Sequence, residues 1–170
     1  MTEEIGETSL DLVQYITRWN REDRGVPVEE RKPIRIVIDC GGGSLSVSET
    51  LSNIIKMSKT PIYSMALGFV ASGASVIHLS CHKKFALPNT VFVLHKGSCS
   101  GVSGTYDEIV SFARDYEKQI EMLMAFYIEH TEYTEEEIVE NIQTDWYIRM
   151  EEALDKGLVD EVITDIDVLC

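Results

Sequence analysis

Two β-branched runs, each closed by a cluster of glycine and serine and followed by apolar residues at helical spacing, constrain the fold of this chain more than any other feature. Pro33-Ile34-Arg35-Ile36-Val37-Ile38-Asp39 reads as a strand and Gly41-Gly42-Gly43-Ser44 as a turn; Val47, Leu51, Ile54 and Ile55 then fall on one face of a helix. Pro61-Ile62-Tyr63-Ser64-Met65-Ala66-Leu67 repeats the strand signal, and Gly68-Phe69-Val70-Ala71-Ser72-Gly73-Ala74-Ser75 repeats the turn, with a helix predicted to begin near Ser72. A further strand spans about Val91 to Leu94. Strands alternating with helices predict an α/β fold with a largely parallel sheet.

The flanking segments complete one domain over residues 1–170, long enough to bury roughly 70% of the surface an unfolded chain exposes. Leu12, Val13, Ile16 and Trp19 predict an amphipathic first helix, giving way to a charged loop from Arg18 to Gly25. From Tyr106 to Glu129 the pattern is one long helix with a stripe running through Ile109, Val110, Ala113, Tyr116, Ile120, Leu123, Met124 and Tyr127. Its second half adds Met122, Ala125, Phe126 and Ile128, so apolar groups face nearly every side. Periodicity leaves open whether the sheet or a second subunit covers them. Thr134-Glu135-Glu136-Glu137 has a capping-box pattern that opens a short helix through Ile142, and Glu151–Lys156 predicts a last turn before Gly157-Leu158-Val159-Asp160-Glu161-Val162-Ile163 closes the fold.

Charge and cysteine usage narrow the function classes. A formal charge of −14 and a pI near 4.6 argue against nucleic acid and anionic membranes as partners. Cys40, Cys81, Cys99 and Cys170 have no Cys-x-x-Cys spacing, and the N-terminus has no secretory pattern, so a cytoplasmic protein without disulfides is expected. Cys40 reads as a buried thiol at a strand end. His78, Cys81 and His82 share a helix turn, but without an acidic neighbour they read as structural or surface residues rather than metal ligands, and no metal is expected. His130, at the end of the long helix, reads as a cation complementing the dipole. Gly41-Gly42-Gly43-Ser44 lacks the phosphate-cradle and dinucleotide spacings.

Ser72, set among small residues at a strand-to-helix junction, is a candidate nucleophile. A serine hydroxyl needs an imidazole to take its proton and a third group to orient that imidazole. His95 ends the strand Val91-Phe92-Val93-Leu94 and is the candidate base.

The order Asp39-Cys40-Gly41-Gly42-Gly43-Ser44, Gly68 to Ser75, Phe85-Ala86-Leu87-Pro88-Asn89 leading to His95, Thr144-Asp145, and Gly157-Leu158-Val159-Asp160 resembles the ClpP family of Clp protease proteolytic subunits over about residues 10–163. The resemblance implies a ClpP/crotonase-like fold of repeated β-β-α units with a protruding handle helix at about 106–129. It implies a serine endopeptidase with Ser72 as nucleophile, His95 as base and Asp145 as orienting carboxylate, needing no cofactor. Gly42 and Gly73 would supply oxyanion-hole N–H groups, and Gly97, Ser98 and Gly101 would pair with extended substrate. It further implies peptide or unfolded-protein substrates, stacked heptameric rings forming a tetradecamer, and feeding by an AAA+ unfoldase. A charge at Leu123 is then expected to separate the rings.

Three positions depart from the family pattern. Gly41 replaces a usual proline and Gly73 a common methionine, both expected to loosen the oxyanion loop, and Trp146 stands where many relatives carry arginine. The N-terminus has little of the segment that lines the axial entrance in relatives. The competing classes are a ring subunit that is non-catalytic or conditionally inactive, and a crotonase-type acyl-CoA enzyme. A complete Ser, His and Asp set argues against a subunit that has lost catalysis, and the lack of an obvious basic coenzyme A site argues against the acyl-CoA enzyme.

Overall fold

The β-branched run Ile34–Cys40 forms β1, and Ser44 ends the glycine turn by accepting the Val47 N–H on its hydroxyl, which caps α2 (Leu45–Met57). α1 (Asp11–Glu22) packs on α2 through Ile16, while Trp19 at the edge of its apolar face is 44% exposed. A computed structural model describes residues 1–169, in which six strands form one sheet; Cys170 lies outside the described residues.

β2 (Ile62–Ala71) is longer than its local sequence suggests, running through Gly68 to Ala71, which read as turn. Pairing on both sides holds it extended. β1 is parallel to it as far as Cys40↔Val70, and Asp39 Oδ1 accepts the Phe69 N–H at 2.8 Å. On the other side, the first half of β2 pairs with β3 (Lys83–Ala86) and the second half with β4 (Val91–Leu94), both in parallel. These ladder bonds outweigh the weak strand preference of glycine. β5 (Trp146–Ile148) runs antiparallel to β4, and β6 (Glu161–Val162) is parallel to β3. The sheet is therefore largely parallel, with one antiparallel edge strand.

α3 (Gly73–Leu79) is buried along its whole length between the sheet and α2. Within it His78 is fully buried: its Nδ1 lies 2.8 Å from Ser64 Oγ and its Nε2 2.7 Å from the Leu158 carbonyl. Burial lowers its pKa to about 4, so it is a neutral core histidine, as the sequence suggested. His82, further along, accepts the Ile62 N–H on Nδ1 at 3.1 Å.

α4 (Tyr106–His130) opens with a capping box in which Thr105 and Glu108 exchange hydrogen bonds. Only Leu123 and Tyr127 of this helix are buried, and both join the main core. Tyr106 and Met122 are 80% and 64% exposed, with Ile109 and Phe112 also open. The apolar surround inferred from sequence is not supplied by one chain. Leu123, chosen from sequence as a surface contact, is a core residue instead. His130 stacks on Phe126 at 4.0 Å, and burial lowers its pKa, which corrects its reading as a helix-end cation. α5 (Glu135–Asn141) and α6 (Met150–Asp155) close the chain around Ile138 and Ala153. Among the described residues, no helix is long and apolar enough to cross a membrane.

Candidate active site

Strand register gathers the candidate residues at one end of the sheet. Ala71 pairs with Val93, and the Ser72 N–H donates to the Val93 carbonyl at 3.0 Å, so the end of β2 lies beside the last residues of β4. On the far side of β4, the antiparallel pair Leu94↔Trp146 brings the next residue outward on each strand, His95 and Asp145, face to face. His95 Nδ1 lies 3.2 Å from Asp145 Oδ1. Thus β4, between β2 and β5, brings together three residues far apart in sequence.

Ser72 has φ +56° and ψ −126°, the only non-glycine residue with positive φ among those described. A side chain in that region costs of order 1–3 kcal/mol, retained only where surrounding structure imposes it. Here the imposing structure is the hydrogen bond to Val93 on one side and the start of α3 on the other, where the Ser75 and Val76 N–H groups both donate to the Ser72 carbonyl. The residue sits at the mouth of a cleft of about 510 Å³, also bordered by Gly43, Gly73, Val76, His95 and Tyr127. His95 Nε2 faces away from Asp145, is buried, and makes no hydrogen bond to Ser72 Oγ or to any other described group.

The two glycines assigned to the oxyanion hole behave differently. Gly73 borders the cleft directly behind Ser72, and a Cβ there would lie 2.3 Å from Ser48 Oγ. Ser48, whose hydroxyl donates to the Ser44 carbonyl, fills the space a larger residue would need. Gly73 is therefore tightly packed, not a loosening substitution. Gly42 has φ +104°, and a Cβ there would fall 2.7 Å from Ser72 Cβ, so only glycine lets the turn lie against Ser72. Its N–H, however, donates to Cys40 Sγ at 3.3 Å, which corrects its assignment as a free donor. Gly41 and Gly43, on either side of it, and Ser44 border the cleft. A Cβ at Gly41 would meet nothing within 4 Å, so packing does not require glycine there.

Gly97 and Ser98 line the cleft, with Cys99 beside them. Gly101 does not; it lies further along the same irregular loop at φ +69°. Trp146 packs its ring against Tyr133 at 4.4 Å. Sequence reasoning missed Glu4, Leu45 and Tyr127 in the cleft wall. For Tyr127 the helical stripe was a signal of burial but not of the cleft, and for Glu4 there was none.

The chain is thus an α/β protein whose strand ends hold a strained serine beside a paired histidine and carboxylate. Comparison with known proteins gives the family. The Clp protease family model matches residues 27–165. The ATP-dependent Clp protease proteolytic subunit 2 of Treponema denticola is 30% identical over 133 residues, 77% of this chain and 66% of that protein. The proteolytic subunit of Deinococcus radiodurans is 29% identical over 178 residues, 93% of this chain and 87% of that protein. A solved ClpP1 variant from Listeria monocytogenes matches with a TM-score of 0.83 at 26% identity, over 100% of this chain and 92% of its own. The chain belongs to the Clp protease family.

Proposed function

We propose that this protein is a serine endopeptidase that works inside a ring assembly. The observation that carries the reading is the convergence of strained Ser72 and the His95–Asp145 pair on one cleft, with the imidazole Nε2 unpartnered and buried. In the proposed cycle Ser72 Oγ attacks the scissile carbonyl carbon while its proton passes to His95 Nε2. The proton goes on to the amide nitrogen as the C–N bond breaks, and the amine product leaves an ester on Ser72. Water then attacks the ester, giving its proton to His95, which returns it to Ser72 as the acid product leaves. Asp145 keeps the Nδ1 proton in place and stabilises the transient imidazolium.

The oxyanion of each tetrahedral intermediate would be met by the Gly73 N–H and by a turn N–H from Gly43, taking the role first given to Gly42. Each such donor is typically worth about 3 kcal/mol. Gly97 and Ser98 would pair with the backbone of an extended peptide, which favours broad specificity. The exposed apolar residues of α4, Tyr106, Ile109, Phe112 and Met122, support docking of one heptameric ring on another through the handle. Substrates would be peptides and unfolded proteins, the latter delivered by an AAA+ unfoldase in the cytoplasm.

A conditionally inactive subunit is the second reading, favoured by the open step between Ser72 and His95, which assembly or substrate would close. The experiment is hydrolysis of a fluorogenic peptide by wild type and Ser72→Ala. Turnover by wild type alone supports the peptidase, equal turnover by both refutes Ser72 as nucleophile, and turnover by wild type only after ring assembly supports the conditional form.

A further inference from the structure

Buried cysteines are usually small hydrophobes whose sulfur does little beyond packing. Cys40 differs because its sulfur is engaged on both sides. It is 4% exposed, accepts the Gly42 N–H at 3.3 Å and donates to the Glu3 carbonyl at 3.0 Å. The thiol thereby joins two segments that nothing in the sequence connects, the N-terminal residues and the glycine turn beneath Ser72. It follows a register shift between Ile38 and Cys40 in β1 and is the last residue of that strand in the ladder, paired with Val70.

The same two segments are joined again by backbone. The Ile5 N–H donates to the Gly42 carbonyl at 2.8 Å, and the Ser44 N–H donates to the Ile5 carbonyl at 2.9 Å. Gly43 lies so close to this segment that a Cβ on it would fall 2.3 Å from the Ile5 carbonyl oxygen. The Gly42 carbonyl and the Gly43 N–H belong to one peptide plane, which is trans. In a trans peptide these groups point in opposite directions. Fixing the carbonyl on Ile5 therefore turns the Gly43 N–H to the face away from the N-terminal segment. Cys40 holds the preceding plane through the Gly42 N–H, so both planes of the turn are fixed.

We propose that Cys40 is a positioning residue for the oxyanion turn, its thiol clamping Gly42 to the N-terminal segment so that the next N–H is held toward the cleft. The inference rests on the peptidase reading for its catalytic consequence, but the clamp itself is a property of the fold. A serine in its place keeps both a donor and an acceptor, whereas alanine and valine keep neither, valine retaining most of the volume.

The test compares wild type, Cys40→Ala, Cys40→Val and Cys40→Ser by peptide turnover, by the rate of fluorophosphonate labelling at Ser72, and by hydrogen exchange of the amides of residues 41–44. The alanine and valine variants are expected to lose about 10- to 100-fold in kcat, less than the roughly 10²- to 10³-fold that outright loss of one oxyanion donor costs because the N–H is displaced rather than removed, with KM within twofold. Exchange at 41–44 should quicken in both, and Cys40→Ser should restore rate and protection. Wild-type kcat and exchange in Cys40→Val overturn the proposal, as does a serine variant no better than valine. Should wild type neither turn over peptide nor take label, the peptidase reading fails alone. The exchange comparison then still decides the clamp: faster exchange in Cys40→Val supports it and unchanged exchange overturns it.

Discussion

Replacing Asp145 by asparagine should separate catalysis from stability more cleanly than any other change at this site. The Asp145 side chain is 57% exposed and that of His95 23%, with 3.2 Å between Nδ1 and Oδ1. A pair this open to water is worth at most about 1 kcal/mol to folding, which for a chain of this size moves Tm by about 2–4 °C. The rate effect is of another order. A carboxylate can only accept from Nδ1–H, which leaves Nε2 as the base. An amide can instead donate to Nδ1 and move the proton to Nε2, where it blocks the attack. In the chymotrypsin-type triad that substitution lowers kcat by about 10⁴-fold; solvent around Asp145 weakens the bias, so we expect about 10²- to 10⁴-fold, or about 3–5 kcal/mol of barrier. Fluorogenic-peptide turnover and thermal unfolding of Asp145→Asn are the assays. A rate within tenfold of wild type in a normally folded variant would refute the orienting role of Asp145.

His78 gives a pH prediction. Burial keeps its folded-state pKa near 4 against an ordinary 6.5, so the unfolded chain takes up the proton first. The stability from neutral His78 is fully present above about pH 6.5 and is lost as pH falls toward 4, by about 3 kcal/mol across that window. Urea unfolding of wild type should weaken more steeply over this range than that of His78→Gln; parallel slopes would count against a buried neutral imidazole. For the handle, Met122→Glu should lower the mass seen in light scattering while Tm stays within a few degrees, because the site is 64% exposed. A charge at Leu123 should instead unfold the subunit, since that side chain is in the core; an intact, dissociated Leu123→Glu subunit would contradict this placement.

Much of the fold was legible because its signals are local. The β-branched run of β1, the stripe of α2 and the capping box of α5 each declare themselves within a few residues. The short strands β3, β5 and β6 did not, because Lys83-Lys84 and Trp146-Tyr147-Ile148 owe their extended form to partners already in the sheet. The last residues of β2 were misread for the same reason: Gly68 looks like a turn until both neighbouring strands are in place. At the site, residue types and order pointed to Ser72, His95 and Asp145, but their proximity depends on the register between β4 and β5. The oxyanion turn was harder to read. Gly41 and Gly43 both border the cleft, and how their peptide planes face is decided by Cys40 and Ile5, whose contacts with the turn and the N-terminal segment cross more than thirty positions of sequence.

The most direct test of the account is mass-spectrometric mapping of the protein after reaction with a fluorophosphonate. A single adduct on Ser72, absent from Ser72→Ala and strongly slowed in Asp145→Asn, is the predicted result. An adduct that survives in Ser72→Ala, or an assembled wild-type protein that takes no label at Ser72, would contradict it.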